Sequence, residues 1–108
     1  MSKHRSTVKK GQPKRCHKGN LVKPLYDSLL NPNSYVATWD QHPSFDNDTK
    51  DKIWSKTASV IGSMKNDFVY VVINTHNLPH PCKEQYCLVL GSGGDTGWVN
   101  SRFLEKVK

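Results

Sequence analysis

Apolar residues in this chain arrive in short bursts separated by Gly, Pro, Asn and Asp, and no stretch sustains the spacing of a long amphipathic helix. The densest burst, "FVYVVINT" at 68–75, is β-branched and aromatic almost throughout, which suits a pleated surface and predicts a strand. "YCLVLG" at 86–91 predicts another, and "IWSKTASVIGSM" at 53–64 a third, rich in Thr, Val and Ile. Upstream, "GNLVKPLYDSLL" at 19–30 opens on a Gly-Asn turn pair and predicts a first strand. Pro24 ends that strand or sets it at an edge or bulge, because proline has no amide to give to a ladder. The last segment, "GWVNSRFLEKV" at 97–107, predicts a closing strand with room for one helical turn at "NSRF".

Between these bursts the turn signals are plain. "KND" at 65–67 reads as a tight turn, "HNLPHPCKE" with its two prolines as a loop, and Gly91 to Gly94 as a hairpin turn where glycine supplies positive backbone angles. Residues 31–51 mix Asn, Pro, Asp and Ser with Tyr35, Trp39 and Phe45, the pattern of a long loop pinned by aromatics. Five short strands at close spacing predict an all-β fold, and in a chain this short a small barrel is favoured over a sandwich because closure removes exposed edges. A length of 108 residues leaves room for one domain with a modest core.

Charge changes the picture at one end only. The net charge of +7 is contained in residues 1–18, where Lys3, Arg5, Lys9, Lys10, Lys14, Arg15 and Lys18 stand with no acid among them; downstream, basic and acidic residues balance. Apart from Met1, the segment's only aliphatic residue larger than alanine is Val8, so it lacks the apolar surface to offset its ordering entropy and is expected to be a disordered basic arm. The domain expectation is therefore an arm over 1–18 and a barrel over 19–108. No apolar run is long enough for a signal or a bilayer span, and an odd count of three cysteines points to reduced thiols. The expected location is the cytoplasm, or the interior of a phage particle.

Candidate chemistry narrows to binding. "DNDTKD" at 46–51 resembles a calcium loop in its first and third positions, but Lys50 and Asp51 stand where a ligand and a glycine are required. Cys16, His80, Cys82 and Cys87 offer nitrogen and sulfur ligands for zinc, yet the four residues between Cys82 and Cys87 are wide for a knuckle and no second pair matches. The alternative is a buried Cys87 with Cys82 idle on a loop, and neither metal nor cofactor is expected. Cys16 beside His17 lies on the arm, where nothing holds a nucleophile and a base in register, and "GSGGDTG" precedes a strand whereas phosphate loops open a helix. No catalytic residue is assigned.

"GDTGWVNSRFLEKV", Gly94 to Val107, resembles the C-terminal signature of SH3-like barrels. "SVIGSMKNDFVYVV" is similar to the strand, turn and strand at the middle of the bacterial kind, and "PLYDS" faintly to the opening of the eukaryotic kind. The resemblance implies a five-stranded barrel in which Trp98, Phe103 and Leu104 pack the core and the closing hairpin. Asn100, Arg102 and Phe103 stand where the peptide-binding members carry proline, asparagine and tyrosine, so it does not imply proline-rich peptide recognition. "GNLVKPLYD" and "LVLGSGGDTGWVNSRFLE" are also similar in style to small barrel proteins of tailed bacteriophages.

The expected function is non-catalytic. The arm contacts the phosphate backbone of a nucleic acid with little sequence specificity, or else an acidic protein surface. Its bland counterpart is a solubilising tail. Tyr35, Trp39, Phe45 and Trp54 are the candidates for a second, protein partner at the 31–51 loop, where Asp40, Asp46, Asp48 and Asp51 would repel phosphate. Rival expectations are a protein-binding or structural module, such as a phage particle component or a phage factor docking on a host protein, and a cell-wall-binding domain.

Overall fold

The computed structural model describes residues 15–25 and 35–107, and these form an all-β body. Nine strands are present among them: β1 (Leu21–Pro24), β2 (Val36–Trp39), β3 (Ser44–Asp46), β4 (Asp51–Ile53), β5 (Val60–Met64), β6 (Tyr70–Asn77), β7 (Gln85–Leu90), β8 (Thr96–Asn100) and β9 (Leu104–Lys106). Seven of them pair antiparallel in one curled sheet, in the order β5-β2-β8-β7-β6-β1-β9, and β3 and β4 form a separate hairpin.

The curl follows from chain length. β8 and β9 lie four strand spacings apart in sheet order, roughly 19 Å if the sheet were flat. The chain covers that separation with a single 3-10 turn, Ser101–Phe103, whose rise of about 2 Å per residue spans far less. The sheet must therefore roll until its β9 edge comes near β8. Two bulges assist the roll. Ile61 in β5 and Ile73 in β6 have no cross-strand partner, because the register shifts beside each of them. Such an extra residue bends and twists its strand, and both isoleucines point to solvent.

Inside the roll lie Val22, Val36, Met64, Tyr70, Val72, Cys87, Val89, Val99 and Leu104, drawn from seven strands, together with Cys16. Alternation explains the selection. Cys87 and Val89 enter the core while Tyr86 and Leu88 face the other side of β7, and each large apolar side chain buried this way contributes about 1.5–3 kcal/mol.

Several expectations hold at the level of elements. Pro24 ends β1, "FVYVVINT" lies mostly in β6, "YCLVLG" in β7, and the helical turn at "NSRF" is the 3-10 turn, capped where Asn100 Oδ1 accepts from the Arg102 amide. The strand count does not match the five expected. The closing strand is two strands, β8 on β7 and β9 on β1, because the 3-10 turn redirects the chain. The supposed loop at 31–51 holds β2, β3 and the first residue of β4, and of the strand expected at 53–64 only β5 and Ile53 are extended in ladders. Pairing partners distant in sequence, β8 and β5 for β2, override a local composition rich in turn formers.

The expected boundary between arm and barrel at residues 18 and 19 also moves. Cys16 is buried in the core, its amide donates to Gln85 Oε1 at 2.8 Å, and its carbonyl accepts from Gln85 Nε2 at 2.9 Å. The Gly19 amide donates to the Val72 carbonyl at 2.7 Å. Residues 15–18 thus belong to the body. Lys3, Arg5, Lys9, Lys10 and Lys14 lie outside the described residues.

Candidate functional site

Two features bear on function: the root of the basic segment and an aromatic ledge on the outer face of the sheet. At the root, Arg15 is committed to the body. Its guanidinium donates to the Lys83 carbonyl at 2.7 Å and, at 3.4 Å, to Asn77 Oδ1, which fixes the chain's exit beside the β6–β7 loop. Lys18 is exposed. The two described members of the basic set therefore differ: Arg15 spends two of its donors on the protein, and Lys18 is exposed to solvent.

The ledge is built by the β3–β4 hairpin lying over β7 and β8. Trp39 and Trp98 are cross-strand partners in β2 and β8. Trp54, just beyond β4, stacks on Trp39 with ring centroids 4.4 Å apart and meets Tyr86 edge-on at 5.5 Å. His42 stacks on His76 at 3.8 Å and sets an edge against Trp98 at 4.7 Å. Pro43, next to His42, is fully buried. Glu84 ties the assembly together: it pairs with Lys52 of β4 at 3.0 Å and accepts from Asn100 of β8 at 3.0 Å.

The ledge perturbs its titratable groups. Burial, then the charge of His42, holds His76 below the usual histidine range, and burial pushes the Tyr86 phenol up. Burial works against the charge of Lys52, but the Glu84 hydrogen bond and charge outweigh it and leave the amine more basic than usual. Asp51 is held low by the Lys52 amide and then by Cys82.

Of the four aromatic candidates named for a partner, the structure brings Trp39 and Trp54 together, half-buried, as pins of the hairpin. Phe45 is half-buried on β3, and Tyr35 stands exposed before β2. Tyr86, Trp98, His42 and His76 were not assigned to that group. Trp98 alternates with the buried Val99, a signal that it faces outward, whereas the histidine stack has no sequence signature because its members come from distant elements. The four zinc candidates are dispersed: Cys16 and Cys87 meet inside the core, Cys82 faces Asp51 and His80 is exposed. Among the described residues no three His, Cys, Asp or Glu side chains converge as a metal site.

A second exposed feature is apolar. β5 is an edge strand of the sheet, and its Val60 and Ile61 are 50% and 55% exposed. Phe68 and Val69, in the turn before β6, are similarly open. Comparisons with protein-family models, with curated proteins and with solved structures return no match.

Proposed function

We propose that this is a non-catalytic binding protein, a small SH3-like barrel that associates with nucleic acid through its basic N-terminal segment. The observation that carries the reading is the segregation of charge: the excess of +7 lies in residues 1–18, and the remainder of the chain is balanced. Arg15 supports it by anchoring the base of the segment, so that cations drawn to a polyanion transmit the attachment to the body. Each lysine or arginine that meets a phosphate releases a counterion, which makes affinity depend steeply on salt.

Binding of a labelled random duplex and a labelled single strand, titrated over salt, tests this. Lys3, Arg5, Lys9, Lys10 and Lys14, with or without Lys18, imply a log–log slope between about −4 and −6 on duplex. Removing residues 1–14 should abolish binding. Unchanged affinity after that removal refutes the reading.

The exposed apolar edge at Val60 and Ile61 favours a second reading, a protein-binding or structural module such as a phage component, with the segment lying on an acidic surface. That partner would survive competition by nucleic acid and would be lost on Ile61→Lys.

A further inference from the structure

Cys16 and Cys87 are brought together by a device unrelated to charge. Gln85 and Cys87 are alternate residues of β7 and face the same side, and both are buried. The Gln85 amide grips Cys16 by its backbone N–H and C=O at 2.8 and 2.9 Å, much as a strand partner would, and so lays Cys16 over the inner face of β7. The two thiols are neighbours in one buried cluster, close enough that Cys16 raises the proton affinity of Cys87. Both sulfurs sit in the same sealed core cluster, at 1% and 0% exposure. The third cysteine, Cys82, lies on the β6–β7 loop beside Asp51 and Glu84.

We propose that Cys16 and Cys87 are the two halves of a disulfide site, closed by exchange with a small-molecule disulfide such as glutathione disulfide, and that the closed bond fastens the base of the N-terminal segment to β7. Exchange begins with the Cys16 thiolate attacking one sulfur of glutathione disulfide and expelling one glutathione thiolate. The Cys87 thiolate then attacks Sγ of Cys16, forming the intramolecular bond and expelling the second glutathione. The two protons lost by the protein thiols end on the two glutathiones, so one glutathione disulfide is reduced as two thiols are oxidised.

Burial dictates the route. Contact with Cys16 and then burial push the Cys87 thiol far above its ordinary range, so attack within the closed core is suppressed. Cys16 is held to β7 by the two Gln85 bonds and its packing, with Arg15 bonded beside it, and detachment of residues 15–18 exposes both sulfurs at once. On return, the same bonds restore the pair's register. Closing a loop from residue 16 to residue 87 restricts the unfolded chain strongly.

The test uses the full chain, fully reduced, incubated with excess glutathione disulfide at about pH 8, where free thiols begin to ionise. After denaturation and alkylation, peptide mapping should find Cys16 joined to Cys87 and Cys82 either alkylated or carrying glutathione. The oxidised chain should melt roughly 10 °C higher than the reduced one, and reductant should reverse the shift. Cys82→Ala should close the bond as the unaltered chain does. Mapping on the unaltered chain needs no substitution in the core, so an unstable Cys16 variant does not affect the outcome. Recovery of three alkylatable thiols, a bond that includes Cys82, or glutathione adducts without an internal crosslink would overturn the proposal.

Discussion

Trp39 and Trp54 stack with their ring centroids 4.4 Å apart and their planes tilted by 31°, joining the end of β2 to the residue just past β4. Everything between them is thereby folded back on the sheet, including the β3–β4 hairpin and its acids. Asp40 reinforces the closure: its amide donates to the Ser59 carbonyl at 3.0 Å and its Oδ1 accepts from the Ser59 amide at 2.9 Å. Residues 40–59 are an attached flap whose hold depends on a few rings.

Trp54→Ala should therefore loosen the flap before it unfolds the main sheet. We expect a loss of about 2 kcal/mol, less than the roughly 3–5 kcal/mol of a fully buried aromatic because Trp54 retains part of its surface in water. Amide exchange should accelerate over residues 40–58 and stay slow in β6, β7 and Val99. Uniform acceleration across both regions would show that the flap is inseparable from the core.

Gly97 is required by proximity. A Cβ built there would lie 2.6 Å from Thr38 Cβ, where β8 lies beside β2. Gly97→Ala should cost roughly 1–3 kcal/mol in chemical denaturation, the range for overpacking, and Thr38→Gly in the same chain should restore part of it. A cost that Thr38→Gly leaves untouched would place the damage elsewhere.

The stacked histidines make the flap sensitive to acid. His76 is depressed in the folded state by burial and then by His42, so the unfolded chain takes up its proton first as pH falls. The stabilisation is complete above the ordinary histidine pKa near 6.5 and is lost as pH drops through the folded value. Denaturation midpoints measured from about pH 8 to pH 5 should fall in that window, and His76→Gln should flatten the fall. An equal slope in the variant would assign the effect to another group.

Two truncations separate the segment from the body. Removing residues 1–18 takes away Cys16, leaves the Gln85 amide buried without its partners and should cost roughly 2–4 kcal/mol more than removing residues 1–14. Thermal melts of both chains give the comparison. Equal stability would mean that Cys16 contributes nothing to the core.

Much of the β content could be read directly. β6 and β7 are dense in β-branched and aromatic residues, and Pro24 marks the end of β1, because these signals are local. β2 and β3 were hidden. "NPNSYVATWDQHPSF" has the composition of a loop; β2 exists because β8 and β5 offer ladders to Val36–Trp39 from sixty and twenty-odd positions away, and β3 because β4 folds back on it. The aromatics at 31–54 were half legible: the rings and their pinning of the segment could be read, but the residues they pin against, Tyr86 and Trp98, come from other strands.

By itself the sequence determined that the body is built of strands and that its excess charge is confined to one end, since both depend on residue type and neighbourhood along the chain. Tertiary structure alone decided that Cys16 belongs to the core, that Gln85 grips its backbone, and that His42 meets His76. Those outcomes rest on groups far apart in the chain coming within a few ångströms once the sheet rolls, and on water leaving the space between them.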